Sequence, residues 1–409
     1  MLNKIWGGFF FVAFAVAAAR SLAFGDTGVW AQMVGAAFEM AKTGFEIALG
    51  LTGVMCLWLG VMKLGEQGGA VDLLARAFGP LLRRLFPSIP PGHPAMGSIV
   101  MNMTANMLGL DNAATPLGLK AMSELQSLNP VKERASDDQI LFLVINSSSV
   151  TVIPATIFVY RAQLGAADPT DVFVPILVAT FCSTMVGLLV TAAVQGLRLW
   201  DRVVIGYLGA MTAAIGGLLV YLTSLDRATM ERRSAALSNF VIFAVILAFL
   251  YLAARKRQPL YETFVAGAKE GFEVAVKIVP FLVAMLVAIG VFRASGSLDF
   301  VLDGVRTAVA GLGIDTRWVE GLPTALMRPL SGSGARGMLL ETMKTHGADS
   351  FAGRLASVIQ GSTETTFYVL AVYFGSVGIR NSRHAVGCGL AADAAGVLVA
   401  ILVSYLYFG

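Results

Sequence analysis

Long, uninterrupted apolar runs constrain this chain more than any other feature of its sequence. A bilayer core about 30 Å thick is crossed by roughly 20 apolar residues in a helix. Backbone amides in lipid must be paired within their own helix or within a closed barrel. Barrel strands are short and alternate between apolar and polar residues, so these runs predict helices. The clearest candidate spans are residues 5–24, 46–62, 172–197, 203–222, 240–254, 274–292 and 385–408.

Composition supports an all-α polytopic membrane protein and excludes several other classes. Hydrophobic residues make up 56% of the 409 residues and charged residues 14%, against about 25% charged in a soluble domain. The three cysteines show neither disulfide nor metal-ligand spacing. A net charge of +4 without a basic stripe gives no indication of nucleic-acid binding. The cluster Arg255-Lys256-Arg257 favours a cytoplasmic loop.

Some segments are too polar or too amphipathic to be simple spans. Four apolar stretches carry glycine and polar residues at expected membrane depth, namely 96–122, 140–160, 322–343 and 355–377. Two others, 64–86 and 300–309, are amphipathic and are expected at the membrane interface. The first run would also fit a cleaved signal peptide, but a matching helix precedes the second half, which favours a span.

An internal repeat divides the chain. The segment AKTGFEIA at residues 41–48 recurs as AKEGFEVA at residues 268–275, 227 positions later and identical at six of eight positions. Residues 144–148 (VINSS) match residues 358–362 (VIQGS) at an offset of 214. We therefore predict one repeat in residues 1–202, a connection in 203–237 and a second repeat in 238–409.

Polar residues at membrane depth indicate where the two repeats carry their function. In the first half, Asn102 and Asn106 share a helical face, and Asp111 and Asn112 lie between Gly109 and Pro116. In the second half, Ser331, Ser333 and Arg336 lie in a glycine-rich stretch after Pro329. Both patterns predict broken, re-entrant helices that meet at mid-membrane, where irregular backbone survives only beside protein or a hydrated cavity. Packing of helices through small residues is the alternative for the glycine-rich stretch.

The second polar stretch of each half contains the matching pair of Asn146 and Gln360. A carboxylate such as Glu364 costs about 2.5–3.5 kcal/mol at the bilayer centre, so it usually marks an ion or solute path. Pairing of Glu364 with Arg328 or Arg336 to stabilise the fold is the alternative. The expected solute-binding residues are Asn102, Asn106, Asp111, Asn112, Asn146, Ser148, Ser331, Ser333, Arg336, Gln360, Ser362, Thr363, Glu364 and Thr365.

Specific motifs resemble known membrane families. Residues 106–122 (NMLGLDNAATPLGLKAM) resemble spore maturation protein A, and residues 329–409, with QGSTETTFYV at 360–369, are similar to spore maturation protein B. Both belong to the nucleoside-recognition or Gate family. The domain of this family also occurs in ferrous iron transport protein B. The family is distantly similar to concentrative nucleoside transporters. Those transporters carry a Gly-Gln-Thr-Glu motif, and residues 360–364 resemble a rearranged form of it. The resemblance implies a natural fusion with a transport-like fold.

The sequence thus predicts a permease of a small polar solute in the bacterial inner membrane. The solute would be nucleoside-like, amino-acid-like or an ion, and a proton or Na⁺ would drive its movement. No enzyme is expected, because no nucleophile–base pair can be named, and no resident cofactor is expected; a metal ligand set cannot be assigned. The expected partners are the lipid bilayer and the solute, with a homo-oligomer as a further expectation and no nucleic acid. The alternative is a non-transporting scaffold that acts in envelope or spore-type maturation.

Overall fold

The structure, a computed structural model, describes residues 2–108, 111–197 and 199–409. These residues form helices and no β-strand; a single isolated bridge joins Arg134 to Asn381. The first eight helices are α1 Leu2–Phe24, α2 Gly28–Gly68, α3 Ala70–Leu85, α4 Pro94–Met107, α5 Asp111–Leu128, α6 Asp137–Ser147, α7 Ala155–Gln163 and α8 Phe173–Gln195. The others are α9 Arg202–Thr223, α10 Arg227–Arg255, α11 Leu260–Ala294, α12 Ser297–Ala310, α13 Leu322–Met327, α14 Gly332–His346, α15 Phe351–Ser362, α16 Thr366–Ser376 and α17 Ala385–Phe408.

The fold confirms a helical, multi-pass membrane protein. Among the described residues, six helices are long and apolar enough to cross a membrane: α1, α2, α8, α9, α10 and α17. A seventh span is formed if Leu282–Ala294 and Ser297–Ala310, which meet at a bend of 67°, are counted together. Each of the four irregular stretches divides into two shorter helices, as α4 and α5, α6 and α7, α13 and α14, and α15 and α16.

The chain folds as two compact units, each assembled from segments of both halves of the sequence. Unit 1 contains Met1–Leu59, Thr156–Pro169 and Ala268–Gln360. Unit 2 contains Gly60–Ala155, Thr170–Gly267 and Gly361–Gly409.

In unit 1, α2 and α11 cross at close range, and two glycines permit the approach. A Cβ added at Gly44 would lie 3.1 Å from the Cα of Val283, and one added at Gly271 would lie 2.8 Å from the Cα of Cys56. Both glycines belong to the repeated AKxGFE segment. The two contacts are related by the same offset of 227 positions, because Val283 follows Cys56 by 227 residues as Gly271 follows Gly44.

The core of unit 2 lies where α4, α5, α6, α16 and α17 pack together. Its fully buried side chains include Ile99, Met122, Phe142 and Cys388. The rings of Phe142 and Tyr373 stack with centroids 5.9 Å apart. At one end of this core the loop before α6 pairs with the loop before α17, since the amides of Arg380 and Asn381 both donate to the carbonyl of Glu133. The core therefore holds α6 and α16 in fixed positions.

Candidate functional site

The candidate site is the place in unit 2 where two interrupted helices meet. Helix α6 ends at Ser147 and α15 ends at Ser362; residues 148–154 and 363–365 that follow them are not helical. The backbone amide of Glu364 donates to the carbonyl of Ser147 over 2.7 Å. The two breaks thus satisfy part of each other's exposed backbone, which free helix ends must do away from water. We call the residues around this contact the polar crossing.

Local sequence explains why α6 stops at this point. The hydroxyls of Ser147 and Ser148 donate back to the carbonyl of Val144 over 3.1 and 2.8 Å, and such local bonds compete with helix continuation. Pro154 lacks an amide hydrogen and disfavours helix in the residue before it. The intervening segment is held by α4, because the amide of Val152 donates to the carbonyl of Met107 over 2.9 Å.

Three asparagines tie α4, α5 and α6 together beside the crossing. Oδ1 of Asn102 accepts from Nδ2 of Asn146 over 2.9 Å and from Nδ2 of Asn106 over 3.5 Å. Nδ2 of Asn102 donates to the carbonyl of Ala114 over 2.7 Å. Asn102 and Asn146 are buried and Asn106 is half-buried. The predicted pairing of Asn102 and Asn106 on one face is therefore present, and Asn146 joins it.

Hydroxyl groups on α8 form another side of the crossing, and sequence reasoning missed them. The hydroxyl of Thr184 donates to the carbonyl of Ser148, and that of Ser183 donates to the carbonyl of Ala392 on α17 over 2.9 Å. Both residues, with Thr180, interrupt the otherwise apolar residues 173–190 of α8. Their spacing places them on one helical face, and this was the signal that could have identified them.

Close approach of α17 completes the crossing. A Cβ added at Gly396 would lie 2.8 Å from Cγ2 of Thr363 and 3.3 Å from both Oγ of Ser362 and Cβ of Ser183. Only a residue without a side chain leaves room for this packing. Ser362 and Thr363, both predicted as site residues, are buried here.

Two carboxylates belong to this part of unit 2. Glu364 is exposed although Thr363 and Thr365 on either side of it are buried. Asp393 on α17 follows Ala392, whose carbonyl accepts the hydrogen bond from Ser183, and its side chain is 3% exposed. Among the described residues, no group of three or more His, Cys, Asp and Glu side chains could hold a metal ion. The crossing therefore offers mainly neutral amides and hydroxyls, which suits recognition by hydrogen bonds.

The other predicted site residues are distributed as follows. Ser148 and Thr365 belong to the crossing, and the side chains of Asp111 and Asn112 lie outside the described residues. Ser331, Ser333, Arg336 and Gln360 belong to unit 1. There the hydroxyl of Ser331 accepts from the amide of Gly334 over 3.0 Å and caps α14, while Nε of Arg336 donates to the carbonyl of Gly332 over 3.2 Å.

Unit 1 also contains an ion pair between the half-buried Arg293 and the buried Glu341, which the sequence did not reveal. Nε and Nη2 of Arg293 lie 2.7 and 3.0 Å from Oε1 and Oε2 of Glu341. Glu341 also accepts from the hydroxyl of Thr345 over 2.9 Å. Nη2 thus makes a charge-assisted hydrogen bond, and the ion pair joins α11 to α14.

Comparison with known proteins agrees with the sequence motifs. The profile of the Gate family, described as nucleoside recognition, matches residues 48–167 and 275–380, which is just over half of the chain. Spore maturation protein B of Bacillus subtilis is 50% identical over 173 residues, which cover 42% of this chain and 96% of that protein. Spore maturation protein A of the same organism is 45% identical over 148 residues, covering 36% of this chain and 76% of that protein. No solved structure matches the chain significantly. The chain belongs to the Gate, or nucleoside-recognition, family of membrane proteins.

Proposed function

We propose that this protein is a permease that moves a small polar solute across the bacterial cytoplasmic membrane. The observation that carries the proposal is the polar crossing, where the amide of Glu364 contacts the carbonyl of Ser147 among buried amides and hydroxyls. Interrupted helices of this kind hold substrates in many transporters. The protein would act without enzymatic chemistry and without a resident cofactor.

The lengths of the interrupted helices favour a site at mid-membrane. Ser136 caps α6 by accepting from the amide of Gln139, and Ser350 accepts from the amide of Gly353 at the start of α15. With 11 and 12 residues, the two helices are about 17 and 18 Å long. This is roughly half of a 30 Å bilayer core, so helices that begin at the surface would end near its centre.

The chemistry of the crossing favours an uncharged solute rich in hydrogen-bonding groups, and the family description favours a nucleoside-like one. Amide side chains such as Asn106 and Asn146 can pair with the edges of a nucleobase, and serine and threonine hydroxyls can pair with a sugar. Glu364 or Asp393 would take up the proton or Na⁺ that drives transport. A carboxylate is suited to both tasks because its charge changes with protonation and attracts cations.

Duplication of an ancestral unit remains our proposal for the origin of the chain, with repeats in residues 1–202 and 238–409 joined by 203–237. The glycine contacts in unit 1 support it, since Gly44 and Gly271 differ by 227 positions. The helix-capping serines Ser136 and Ser350 differ by 214 positions, the offset found in the sequence. The two matches to the family profile also begin 227 positions apart.

Flux measurements on purified protein in liposomes test the transport proposal. We expect uptake of a radiolabelled nucleoside by the wild type and its loss in Glu364→Gln, which removes the charge and keeps the size of the side chain. Glu262→Gln, at an exposed glutamate on α11, is the matched control and should transport normally. Equal flux in both variants would remove Glu364 from the mechanism.

A membrane scaffold is the second candidate function, and one observation favours it. The side-chain amides of Asn102 and Asn146 each donate a hydrogen bond within the protein, as expected of groups that fasten helices. A panel of nucleosides, amino acids and metal ions can be tested on liposomes that contain the wild-type protein. If the protein neither binds nor transports any of them, the scaffold is supported and the permease is contradicted.

A further inference from the structure

Helix α3 is an amphipathic helix in unit 2 with a cationic outer face. Its buried residues are Ala70, Val71, Gly79, Leu81, Leu82 and Leu85. Arg76, Arg83 and Arg84 on the other side are exposed. A helix with one apolar and one cationic face lies flat at a membrane surface when its surroundings allow.

The contacts at the two ends of α3 place it at such a surface. Near its start, Asp72 lies 3.7 Å from Nζ of Lys256, which directly follows α10. At its end, Nη1 of Arg84 lies 3.6 Å from Oδ2 of Asp201, which caps the start of α9. Helices α9 and α10 are both candidate membrane spans joined by a three-residue turn at 224–226. The start of α9 and the end of α10 therefore lie at one membrane face, and α3 runs along that face between them.

Charge identifies the face as cytoplasmic. Arg255 ends α10 and Lys256 and Arg257 follow it, Arg202 begins α9, and the α3 arginines lie between them. Cytoplasmic flanks of membrane spans carry this excess of positive charge. Anionic phospholipids in that leaflet attract such residues. Each Lys or Arg near the surface raises the affinity for anionic lipid by about a factor of five.

An open groove, formed by residues of α3 alone, lies among these charges. It has a volume of about 550 Å³ and is lined by Asp72, Ala75, Arg76, Gly79, Pro80 and Arg83. Gly79 leaves the groove open, because a Cβ there would meet no atom within 4 Å. Pro80 has no amide hydrogen, so the carbonyl of Arg76 lacks its usual helical donor. Arg83 makes no ion pair with any described residue.

We propose that this groove binds the phosphate headgroup of an anionic phospholipid. Arg76 and Arg83 are seven residues apart on α3, about 10 Å along the helix, and would contact the phosphate from either side of Gly79. The hydroxyl of Tyr207 donates to the carbonyl of Ala77 over 2.7 Å and keeps α9 against α3. The acyl chains would run along the lipid-facing surface of α9, where Ile205 is exposed.

Native mass spectrometry of the full-length protein, with equal amounts of phosphatidylglycerol and phosphatidylcholine, tests the proposal. We expect the wild type to retain phosphatidylglycerol preferentially. The double variant Arg76→Gln, Arg83→Gln should weaken that retention about thirtyfold, since two cationic contacts are lost. Arg76→Lys, Arg83→Lys keeps both charges and should retain most of the preference, which separates loss of binding from loss of fold.

The matched control is Arg134→Gln, Arg380→Gln, which removes two exposed charges from loops of unit 2 outside the groove. It should leave the lipid preference unchanged. An equal fall in this control would mean that overall charge rather than the groove selects the lipid, and would overturn the proposal. Inorganic phosphate that displaces the lipid at equal concentration would assign the groove to a soluble anion instead.

Discussion

Arg161 illustrates how a charged residue can fasten a membrane protein. Its side chain is fully buried in unit 1. The guanidinium donates to the carbonyl of Ala348 over 2.7 Å and to that of Pro169 over 3.2 Å, and Nη2 lies 3.1 Å from Oδ1 of Asp349. A buried charge is tolerated only when it is paired and hydrogen-bonded in this way. Burial of a charge alone is therefore poor grounds for assigning it a role in transport.

The same caution applies to the carboxylates. The sequence singled out Glu364 because a charge at membrane depth is costly, and the structure leaves this side chain exposed while it buries Asp393 and Glu341. Residue type and hydropathy identify a polar stretch, but which members of it turn inward depends on tertiary packing. The amide cluster was more predictable, because Asn102 and Asn106 are one helical turn apart. The contribution of Asn146 from another helix was not.

His384 provides a pH-dependent contribution to stability at the start of α17. Burial lowers its pKa, the adjacent Arg383 lowers it further, and Asp137 opposes the shift. In the neutral state Nε2 can accept from Nε2 of Gln195, 3.0 Å away, which also donates to the carbonyl of Asp137. Because the folded pKa lies below the unfolded value of about 6.5, this stability is fully present above pH about 6.5. It is lost as the pH falls from there through the folded pKa.

We therefore predict that His384→Gln will flatten the acid side of the stability profile. Glutamine keeps a hydrogen-bonding group and does not titrate. Thermal unfolding of the purified protein at pH 7.5 and 5.5 should show a smaller decrease in Tm for the variant than for the wild type. An identical decrease in the two proteins would show that His384 contributes nothing to the pH dependence.

Helices were the most predictable elements. The uninterrupted runs at 172–197, 203–222 and 385–408 correspond closely to α8, α9 and α17, because length and hydropathy alone identify a membrane span. The run at 46–62 is only the second part of α2, which continues unbroken from Gly28 to Gly68. The AKxGFE segment thus lies inside a helix; its glycine serves helix packing and does not end the helix.

The breaks were predicted in position but not in detail. Gly109 and Pro116 indicated an interruption, and the structure ends α4 at Met107 and begins α5 at Asp111, with Pro116 inside α5. The contact between the breaks at Ser147 and Glu364 joins residues more than 200 positions apart. No local pattern encodes such a pairing, so it could not be read from one sequence.

Close packing of α2 against α11 leads to a prediction about glycine. Gly271→Ala places a methyl group 2.7 Å from the carbonyl oxygen of Met55, where only backbone movement can relieve the clash. Overpacking of this kind costs about 1–3 kcal/mol. Thermal unfolding should show a clear loss of stability in this variant. Gly206→Ala on α9, where the new Cβ meets no atom within 4 Å, is the control and should be neutral or slightly stabilising. Equal stability of both variants would contradict the tight crossing.

At the scale of the whole molecule, chain order is a poor guide to structure. The sequence suggests successive halves, whereas each compact unit takes segments from both. Unit 1 contains the repeated AKxGFE segments, and unit 2 contains the end of α6 together with the residues after α15. Only contacts between distant residues reveal which segments share a unit. The spacing of 227 positions relates the two AKxGFE segments to each other, but it does not predict which distant residues each segment contacts.

The proposed membrane orientation rests on the charges of unit 2 and can be tested directly. If α9 and α10 cross the bilayer with their cationic ends in the cytoplasm, the turn at Ser224 lies outside and Pro259 lies inside. Val131 lies in the loop before α6, and this loop should also lie inside. The end of α8 is close in sequence to the start of α9, and Gln195 at that end donates to the carbonyl of Asp137 beside the loop. In a background lacking the native cysteines, Ser224→Cys should react with a membrane-impermeant maleimide in intact spheroplasts. Pro259→Cys and Val131→Cys should react only after permeabilisation. The reverse pattern would invert the topology, and equal labelling of Ser224→Cys and Pro259→Cys would mean that α10 does not cross the membrane.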